Sequence, residues 1–205
     1  MNTHVHAIIL AAGTSSRMGR PKQLLPLGEH LLLGHVINRV LTGEFTKVTA
    51  VIGHEAALIQ ELLPVKDSRF QWVLNEDYHS GQSSSLKRGI ESLGLQQANV
   101  MVFLGDLPFI EEQTIHTIYQ SGVRMLKEYK APFMIRPVYK NIPGHPVFFG
   151  HIHQETFSGL DGDQGGRAIV EQFAYKRRLL VEDEGILLDI DTPIAYEKAK
   201  ERFEN

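Results

Sequence analysis

A chain of 205 residues with no cysteine cannot form disulfides or thiolate metal sites, and its formal net charge of −3 gives no general reason to expect nucleic acid or an anionic membrane as a partner. Its 42% hydrophobic and 22% charged residues are typical of a globular protein. No apolar run approaches the roughly 20 residues that cross a bilayer, and no targeting segment precedes the first apolar run. We therefore expect one cytoplasmic domain over residues 1–205.

Short apolar segments alternate with amphipathic ones along the first part of the chain, which predicts an α/β fold of three layers with a mostly parallel sheet flanked by helices. The predicted strands are Val5–Leu10, Lys47–Ile52, Gln71–Leu74, Val100–Leu104 and Pro132–Val138. The predicted helices between them are Gly34–Leu41, Ala56–Leu63, Ser83–Leu93 and Glu111–Leu126. Ligands gather at the carboxyl ends of strands in such sheets.

The regular alternation of predicted strands and helices ends after Tyr139. In chain order, the pattern predicts a strand Val147–Phe149, a helix Ala168–Phe173, strands Arg178–Val181 and Ile186–Ile190, and a last helix Ile194–Phe203. The basic run Lys176-Arg177-Arg178 is predicted to be a solvated strand edge.

The first strand ends in a loop of small residues that is followed by fixed positive charges. Ala11, Ala12 and Gly13 allow backbone N–H groups to approach phosphate oxygens, and Arg17 and Lys22 can neutralise their charge. The loop matches neither the Walker spacing nor the Gly-x-Gly-x-x-Gly fingerprint. It predicts a nucleoside-triphosphate cradle, with an ordinary glycine-containing turn as the alternative.

Two carboxylate motifs follow predicted strands. Val100–Leu104 is apolar throughout, typical of a strand buried on both faces, and it delivers Asp106, where a carboxylate can share Mg²⁺ with substrate phosphates. Asp106 could instead cap a helix near Glu111. In the second motif, alternation places Asp189 and Asp191 on one face of a short strand, and one of them could complete the metal site. Asp191 could equally mark the start of the last helix.

A third polar motif, Gly81 to Lys87 with three consecutive serines, opens a predicted helix. Free N–H groups and hydroxyls at a helix start can contact a base, ribose or phosphate. The alternative is a serine-rich helix cap.

The run from Leu10 to Leu27 (LAAGTSSRMGRPKQLLPL) resembles the signature of the MobA-like nucleotidyltransferases, and is most similar to that of the molybdenum cofactor cytidylyltransferases. The Gly-Asp-Leu-Pro and Asp-Ile-Asp-Thr-Pro motifs match the same family. The resemblance implies a Rossmann-like nucleotidyltransferase fold and a Mg²⁺-dependent transfer of CMP from CTP to molybdopterin or the molybdenum cofactor, with release of pyrophosphate. A xanthine dehydrogenase-type molybdoenzyme or its chaperone is the implied protein partner.

The resemblance also assigns roles to residues and divides the chain into a nucleotide-binding half, about 1–110, and an acceptor-binding half, about 111–205. The implied roles are catalysis for Arg17, Lys22 and Asp106; nucleotide binding for Leu10, Ala11, Ala12, Gly13, Arg17, Lys22, Gly81, Ser83, Ser84 and Ser85; metal binding for Asp106 and Asp191; and acceptor binding for His145 and Arg167. His145 could alternatively shape a turn, and the segment before Arg167 could cap a helix.

Two other functions remain open on the sequence. One is a related nucleotidyltransferase that acts on a sugar phosphate or another small phosphorylated acceptor. The other is a non-catalytic molybdoenzyme maturation chaperone with the same fold. The joint presence of Arg17, Lys22, Asp106 and Asp191 favours an enzyme.

Overall fold

A computed structural model describes residues 3–157 and 173–204, which form an eight-stranded mixed sheet, a small two-stranded sheet and surrounding helices. The strands are β1 (His6–Leu10), β2 (Pro26–Leu27), β3 (His30–Leu31), β4 (Lys47–Ile52), β5 (Phe70–Leu74), β6 (Gln97–Leu104), β7 (Phe133–Tyr139), β8 (Ile142–Pro143), β9 (Val147–His153) and β10 (Tyr175–Leu180). The α-helices are α1 (Leu32–Leu41), α2 (Ala56–Leu62), α3 (Gln82–Glu91), α4 (Glu112–Glu128) and α5 (Pro193–Glu204).

The main sheet has the order β10-β7-β9-β6-β1-β4-β5, with β8 attached to β7. β1 lies in the interior of the sheet, is buried along its whole length, and pairs in parallel with β4 and β6. β9 runs antiparallel between β6 and β7, so β7 and β10 point the same way as β1 and β6. The carboxyl ends of β1, β4, β6, β7 and β10 therefore lie at one edge of the sheet, as expected for a mostly parallel sheet.

Two cores cover the two faces of this sheet and make the three predicted layers. Residues of α1, α2 and α4 pack with Ile9 and Phe103 on one face, whereas residues of α3 pack with Ile8 and Val102 on the other. A Cβ on Gly89 of α3 would lie 2.7 Å from the Ile8 side chain, so glycine is what allows α3 to approach β1 closely. The predicted fold class is confirmed.

The last part of the chain departs from the prediction between 186 and 190. The predicted strand Ile186–Ile190 is wrong: the chain forms a 3-10 turn over Glu184–Leu187 and then continues without strand pairing. The Asp183 carboxylate causes this turn, because it accepts hydrogen bonds from the backbone N–H groups of Gly185 at 2.8 Å and Glu111 at 2.9 Å. The predicted helix Ala168–Phe173 lies, except for its last residue, outside the described residues.

A third, smaller core joins the two-stranded sheet to the last helix. Leu25, Leu27 and Leu32 pack with Ile190 and with residues of α5. The Tyr196 hydroxyl on α5 donates a hydrogen bond to the Pro26 carbonyl at 2.5 Å. The short strands β2, β3 and β8 were not predicted, because two residues are too few to show a period. Within the described ranges, no helix combines the length and apolarity needed to span a bilayer.

Candidate active site

A cleft of about 340 Å³ opens at the carboxyl edge of the sheet. It lies where β1 and β6 end and α3 begins, the region in which open α/β sheets bind ligands. Its walls are formed by Leu10, Ala11, Ala12, Gly13, Thr14, Lys22, Gln23, Tyr78, His79, Gly81, Gln82, Ser85, Leu104, Gly105 and Asp106. The small-residue loop, the Asp106 motif and the start of α3 were all predicted to bind ligand, and the fold brings them to this one cleft.

The loop after β1 is held in shape by Gln23. This buried side chain donates hydrogen bonds through Nε2 to the carbonyl oxygens of Ala11 at 2.7 Å and Gly13 at 3.0 Å. Its Oε1 accepts from the Ser15 hydroxyl at 3.3 Å, and that hydroxyl accepts from the Lys22 backbone N–H at 3.0 Å. The sequence analysis missed Gln23. The available signal was a single amide residue between a cationic residue and two leucines.

The loop after β6 packs directly against the loop after β1. The Gly105 backbone N–H donates to the Leu10 carbonyl at 2.9 Å. A Cβ at Gly105 would lie 2.8 Å from the Ala11 Cβ, closer than side-chain atoms can approach. Glycine at this position therefore allows the loop after β1 and the Asp106 loop to lie this close together.

Charged side chains from three distant parts of the chain meet at the edge of the cleft. Lys22 Nζ donates to Asp106 Oδ2 at 2.5 Å and also to Asp191 Oδ1. Arg17 donates to the other oxygen of Asp191 at 2.5 Å. The Lys22, Asp106 and Asp191 side chains are 16%, 16% and 28% exposed, so these pairs are only partly screened by water, whereas Arg17 is 67% exposed. Arg17 thus binds Asp191, one of the two predicted metal carboxylates, and is not among the residues that line the cleft.

The protonation equilibria of this group follow from its packing. Burial opposes the charge on Lys22, but the two carboxylates outweigh burial and raise the Lys22 pKa. Burial likewise opposes the charge on Asp191, and the hydrogen bond from Lys22 together with the nearby Arg17 lowers its pKa. Asp189 is exposed overall, but its carboxylate is partly desolvated. This desolvation, and to a smaller extent the negative charge of Asp191, raises the pKa of Asp189. The two aspartates of this motif are therefore not equivalent.

Asp106 has an oxygen atom that suits a metal ion. Its Oδ1 is buried and has no hydrogen-bond partner among residues 3–157 and 173–204, although a buried charged oxygen ordinarily has one. No group of three or more metal-binding side chains exists among residues 3–157 and 173–204. Mg²⁺ does not need one, since it is commonly bound by one or two carboxylates together with substrate phosphates and water. Asp106 and Asp191 fit that requirement.

Neither aspartate side chain caps the helix that follows it, whereas their predicted metal role stays a prediction. The Thr192 hydroxyl accepts the hydrogen bond from the Ala195 N–H at 3.2 Å, so Thr192 caps α5 and Pro193 begins it. Asp191, one residue earlier, is left to bind Lys22 and Arg17. Asp106 does not cap α4 either, because that helix begins at Glu112 after Glu111.

The three serines at the start of α3 have different environments. Ser83 is buried, and the Ser84 hydroxyl donates to the carbonyls of Gly81 at 2.8 Å and Asp77 at 3.0 Å. Ser85, which lines the cleft, and Ser84 both accept hydrogen bonds from the Asn75 amide, at 3.0 Å and 2.9 Å. The helix has no side-chain N-cap, since Gly81 precedes it. Tyr78 and His79, which precede this motif and which the sequence analysis did not select, also line the cleft.

The predicted acceptor residue His145 lies beside β6, toward the β7 edge of the sheet. Its Nδ1 is 3.5 Å from the Val102 carbonyl oxygen, and the peptide bond to Pro146 is cis. Burial, with a smaller contribution from the nearby Arg136 charge, lowers the pKa of His145 to about 4. The imidazole is therefore neutral at pH 7. Arg167, the other predicted acceptor residue, lies outside the described residues.

The sequence profile of the MobA-like NTP transferase domain matches residues 7–178. The chain belongs to this family. It is a nucleotidyltransferase, and its predicted resemblance is confirmed.

Individual relatives of this nucleotidyltransferase agree with the assignment. The molybdenum cofactor cytidylyltransferase of Escherichia coli is 27% identical over 201 residues, which cover 97% of each chain. The bifunctional protein GlmU of Ruthia magnifica is 33% identical over 129 residues, and the match spans 60% of this chain but only 27% of that relative's length. The crystal structure of Rv0371c from Mycobacterium tuberculosis superimposes with a TM-score of 0.81 at 25% identity, covering 98% of this chain and 99% of that one. A manganese complex of Rv0371c has a TM-score of 0.76 at 22% identity.

The geometry is suited to nucleotidyl transfer. Ala11, Ala12 and Gly13 line the cleft, although the Ala11 N–H already donates to the Val51 carbonyl at 2.9 Å. Lys22 supplies a partly buried positive charge, and Asp106 has a carboxylate oxygen without a hydrogen-bond partner among the described residues. Transfer between phosphates needs positioning and charge neutralisation more than covalent chemistry by the protein.

Proposed function

We propose that this nucleotidyltransferase transfers CMP from CTP to the terminal phosphate of molybdopterin or the molybdenum cofactor. The observation that carries the proposal is the meeting of Lys22, Asp106 and Asp191 at the edge of the cleft formed by the small-residue loop. The choice of nucleotide and acceptor is supported by the Escherichia coli relative, which aligns over nearly the whole chain and is named for both.

In the proposed reaction, an oxygen of the acceptor phosphate attacks the α-phosphorus of CTP, and the bond from that phosphorus to the bridging oxygen of pyrophosphate breaks. The attacking phosphate is already anionic, so no strong general base is required. Lys22 and Arg17 would neutralise negative charge on the triphosphate. The small-residue loop would orient it through the backbone N–H groups of Ala12 and Gly13. Asp106 and Asp191 would hold Mg²⁺, which supplies Lewis-acid neutralisation of phosphate charge when bound.

We assign nucleotide recognition to both walls of the cleft. Leu10, Ala11, Ala12 and Gly13 form one wall, and Gly81 and Ser85 belong to the other. Ser83 and Ser84 would act indirectly, since Ser83 is buried and Ser84 shares the Asn75 amide with Ser85. The acceptor would lie toward His145 and Arg167, and a xanthine dehydrogenase-type molybdoenzyme or its chaperone would receive the product. We place the reaction in the cytoplasm, which the cysteine-free sequence suits.

The direct test is to incubate the pure protein with Mg²⁺, molybdopterin and each nucleoside triphosphate in turn, and to measure pyrophosphate. We expect release that requires both CTP and molybdopterin. Parallel incubations replace molybdopterin with sugar phosphates. Pyrophosphate release with a sugar phosphate and none with molybdopterin would overturn the acceptor while leaving nucleotidyl transfer in place.

Nucleotide choice is tested at Ala12, which lines the cleft. In the resembled family, cytidylyl enzymes tend to carry Leu-Ala-Ala-Gly where guanylyl enzymes carry Leu-Ala-Gly-Gly. A methyl group in a snug pocket changes discrimination by about 10- to 200-fold, so Ala12→Gly should relax the preference for CTP over GTP within that range. The measurement is a competition between equal concentrations of the two nucleotides. A wild-type preference for GTP would contradict the cytidylyl assignment.

A further inference from the structure

Two arginines lie side by side on the sheet, beyond the cleft described above. Arg136 on β7 and Arg178 on β10 are direct partners in the parallel register of these strands, so both side chains leave the same face of the sheet. This is the face on which Met134, two residues before Arg136, packs in the core with residues of α3. Arg177, the neighbour of Arg178, alternates to the opposite face of the sheet. There it lines a surface depression together with Tyr129, the residue that follows α4.

These two cations lack an anionic partner in the described part of the chain. No ion pair or hydrogen bond joins either guanidinium to residues 3–157 or 173–204, and the Nε of Arg136 is buried with no partner. Burial and then the Arg178 charge lower the pKa of Arg136. Like charges directly opposite each other destabilise a sheet, and an unpaired buried donor adds to that cost. An anion between the two side chains would remove both penalties.

The position of the pair connects it to the cleft. β7 and β10 run parallel to β6, and the Arg136 charge is close enough to contribute to the low pKa of His145. Asp106, at the end of β6, also acts on that histidine. The pair therefore lies on the His145 side of Asp106, away from the loop that forms the nucleotide wall.

We infer that Arg136 and Arg178 form a binding site for a phosphate-type oxyanion, and that in catalysis this site holds an anionic group of the acceptor. The second part rests on the proposed function. The planar guanidinium fork matches the oxygens of phosphate in geometry as well as charge, which a lysine pair would not. Arg178 is exposed and gives access from solvent, while the partly buried Arg136 fixes the position of the anion.

The first test uses inorganic phosphate as the probe and needs neither nucleotide nor acceptor. Phosphate affinity is measured by ³¹P NMR titration of wild-type protein, Arg178→Gln and Arg177→Gln, with ionic strength held constant by chloride. The two variants lose the same charge from adjacent exposed positions, but only Arg178 faces Arg136. We expect Arg178→Gln to weaken phosphate binding about tenfold, as for loss of one charge-assisted contact, and Arg177→Gln to leave it within about twofold.

Thermal unfolding gives an independent readout on the same proteins. Without phosphate, Arg178→Gln should raise the melting temperature by about 1–3 °C, because it removes the repulsion with Arg136. Addition of phosphate should raise the melting temperature of the wild type more than that of Arg178→Gln. Equal phosphate affinities in the two variants, or a failure of phosphate to bind the wild type, would overturn the site. Phosphate bound at the nucleotide cleft is common to both variants and cancels in the comparison.

The role in catalysis is tested by steady-state transfer kinetics. Arg178→Gln should raise the KM for the acceptor about tenfold while the KM for CTP stays unchanged. An unchanged acceptor KM would overturn the catalytic role and leave the anion site intact. If no acceptor supports transfer at all, the proposed function fails, whereas the phosphate titration still decides the site.

Discussion

At the scale of single residues, the two carboxylate oxygens of Asp106 have different environments. One carboxylate oxygen accepts from Lys22, and the other is buried without a hydrogen-bond partner in the described part of the chain. A buried charged oxygen without a partner is energetically costly, and a bound cation would remove that cost. The same side chain thus holds Lys22 in place and has the second oxygen that the proposed metal site requires.

Asp106→Asn should reduce transfer by about a hundredfold or more, because a metal carboxylate contributes several kcal/mol to transition-state stabilisation. The fold should persist, since the amide is nearly the same size. Turnover is measured at saturating Mg²⁺ and the melting temperature by circular dichroism. Near-normal turnover in a folded variant would remove Asp106 from the metal site.

Asp189 and Asp191 provide a matched pair two positions apart in one motif. Asp191 is bound by Lys22 and Arg17, whereas Asp189 is exposed and its charge is disfavoured. Asp191→Asn should weaken Mg²⁺ binding and transfer by about tenfold or more, and Asp189→Asn should leave both within about twofold. Calorimetric Mg²⁺ titrations in the presence of nucleotide measure the difference. Equal losses in both variants would argue against Asp191 as the specific ligand.

At the scale of elements, the two loops that end β1 and β6 behave as one unit. Gln23 ties the first loop to itself, and the Gly105 backbone ties the second loop to it. The chain that follows the 3-10 turn over Glu184–Leu187 also contacts this unit. There the Ile190 backbone N–H donates a hydrogen bond to the Asp106 carbonyl at 3.1 Å. Asp106 is therefore positioned by backbone contacts on both sides.

Alanine substitutions at two glycines should separate folding from binding. Gly105→Ala should lower stability by about 1–3 kcal/mol, because the new Cβ would meet Ala11 at 2.8 Å and force the loops apart. Gly13→Ala should keep the wild-type melting temperature, since no atom of the described residues lies within 4 Å of its Cβ position. Its methyl group would instead enter the cleft and raise the KM for CTP.

Thermal melts and steady-state kinetics on both glycine variants check these outcomes. The matched comparison matters because each variant adds one methyl group to one of two touching loops. A destabilised Gly13→Ala with normal kinetics would show that the first loop serves folding and does not bind nucleotide.

At the scale of the whole molecule, the sheet carries groups from both halves of the chain to one edge. Lys22 is 84 residues from Asp106 and 169 residues from Asp191 along the chain, yet it contacts both. The first half of the chain, about 1–110, which is predicted to bind nucleotide, therefore receives a charged group from the second half, about 111–205, which is predicted to bind the acceptor. The two halves share a continuous sheet, with β9 inserted beside β6.

The partly buried, neutral His145 makes global stability depend on pH. Its folded pKa is about 4, below its unfolded value of about 6.5. The unfolded chain therefore binds the proton first as pH falls. The contribution of the neutral His145 to the free energy of unfolding should be complete above about pH 6.5, and up to about 3 kcal/mol of it should be lost as pH falls toward 4.

Urea unfolding at several pH values should show a flatter dependence of the unfolding free energy on pH for His145→Gln than for the wild type. His116→Gln, at an exposed position, is the control and should keep the wild-type slope. Parallel profiles for all three proteins would contradict this origin of the pH dependence.

Much of the architecture was readable from local sequence patterns. The uninterrupted apolar run before Asp106 marks a strand buried on both faces, and the small residues after β1 mark a loop that a ligand can approach. These features depend on neighbours within a few positions, which periodicity and residue size report directly. The order of strands and helices, and the ends at which ligands would gather, followed from the same signals.

Contacts between distant segments were decided by the tertiary structure alone. The support of the loop by Gln23, the binding of Asp191 by Lys22, the opposed pair Arg136 and Arg178, and the turn fixed by Asp183 have no local signature. The run that includes Arg178 was predicted to be only a solvated edge, because a sequence does not state which residue lies opposite in the next strand. Sheet register and packing set those neighbours, and the electrostatic energy of a charged side chain depends on its neighbours in space.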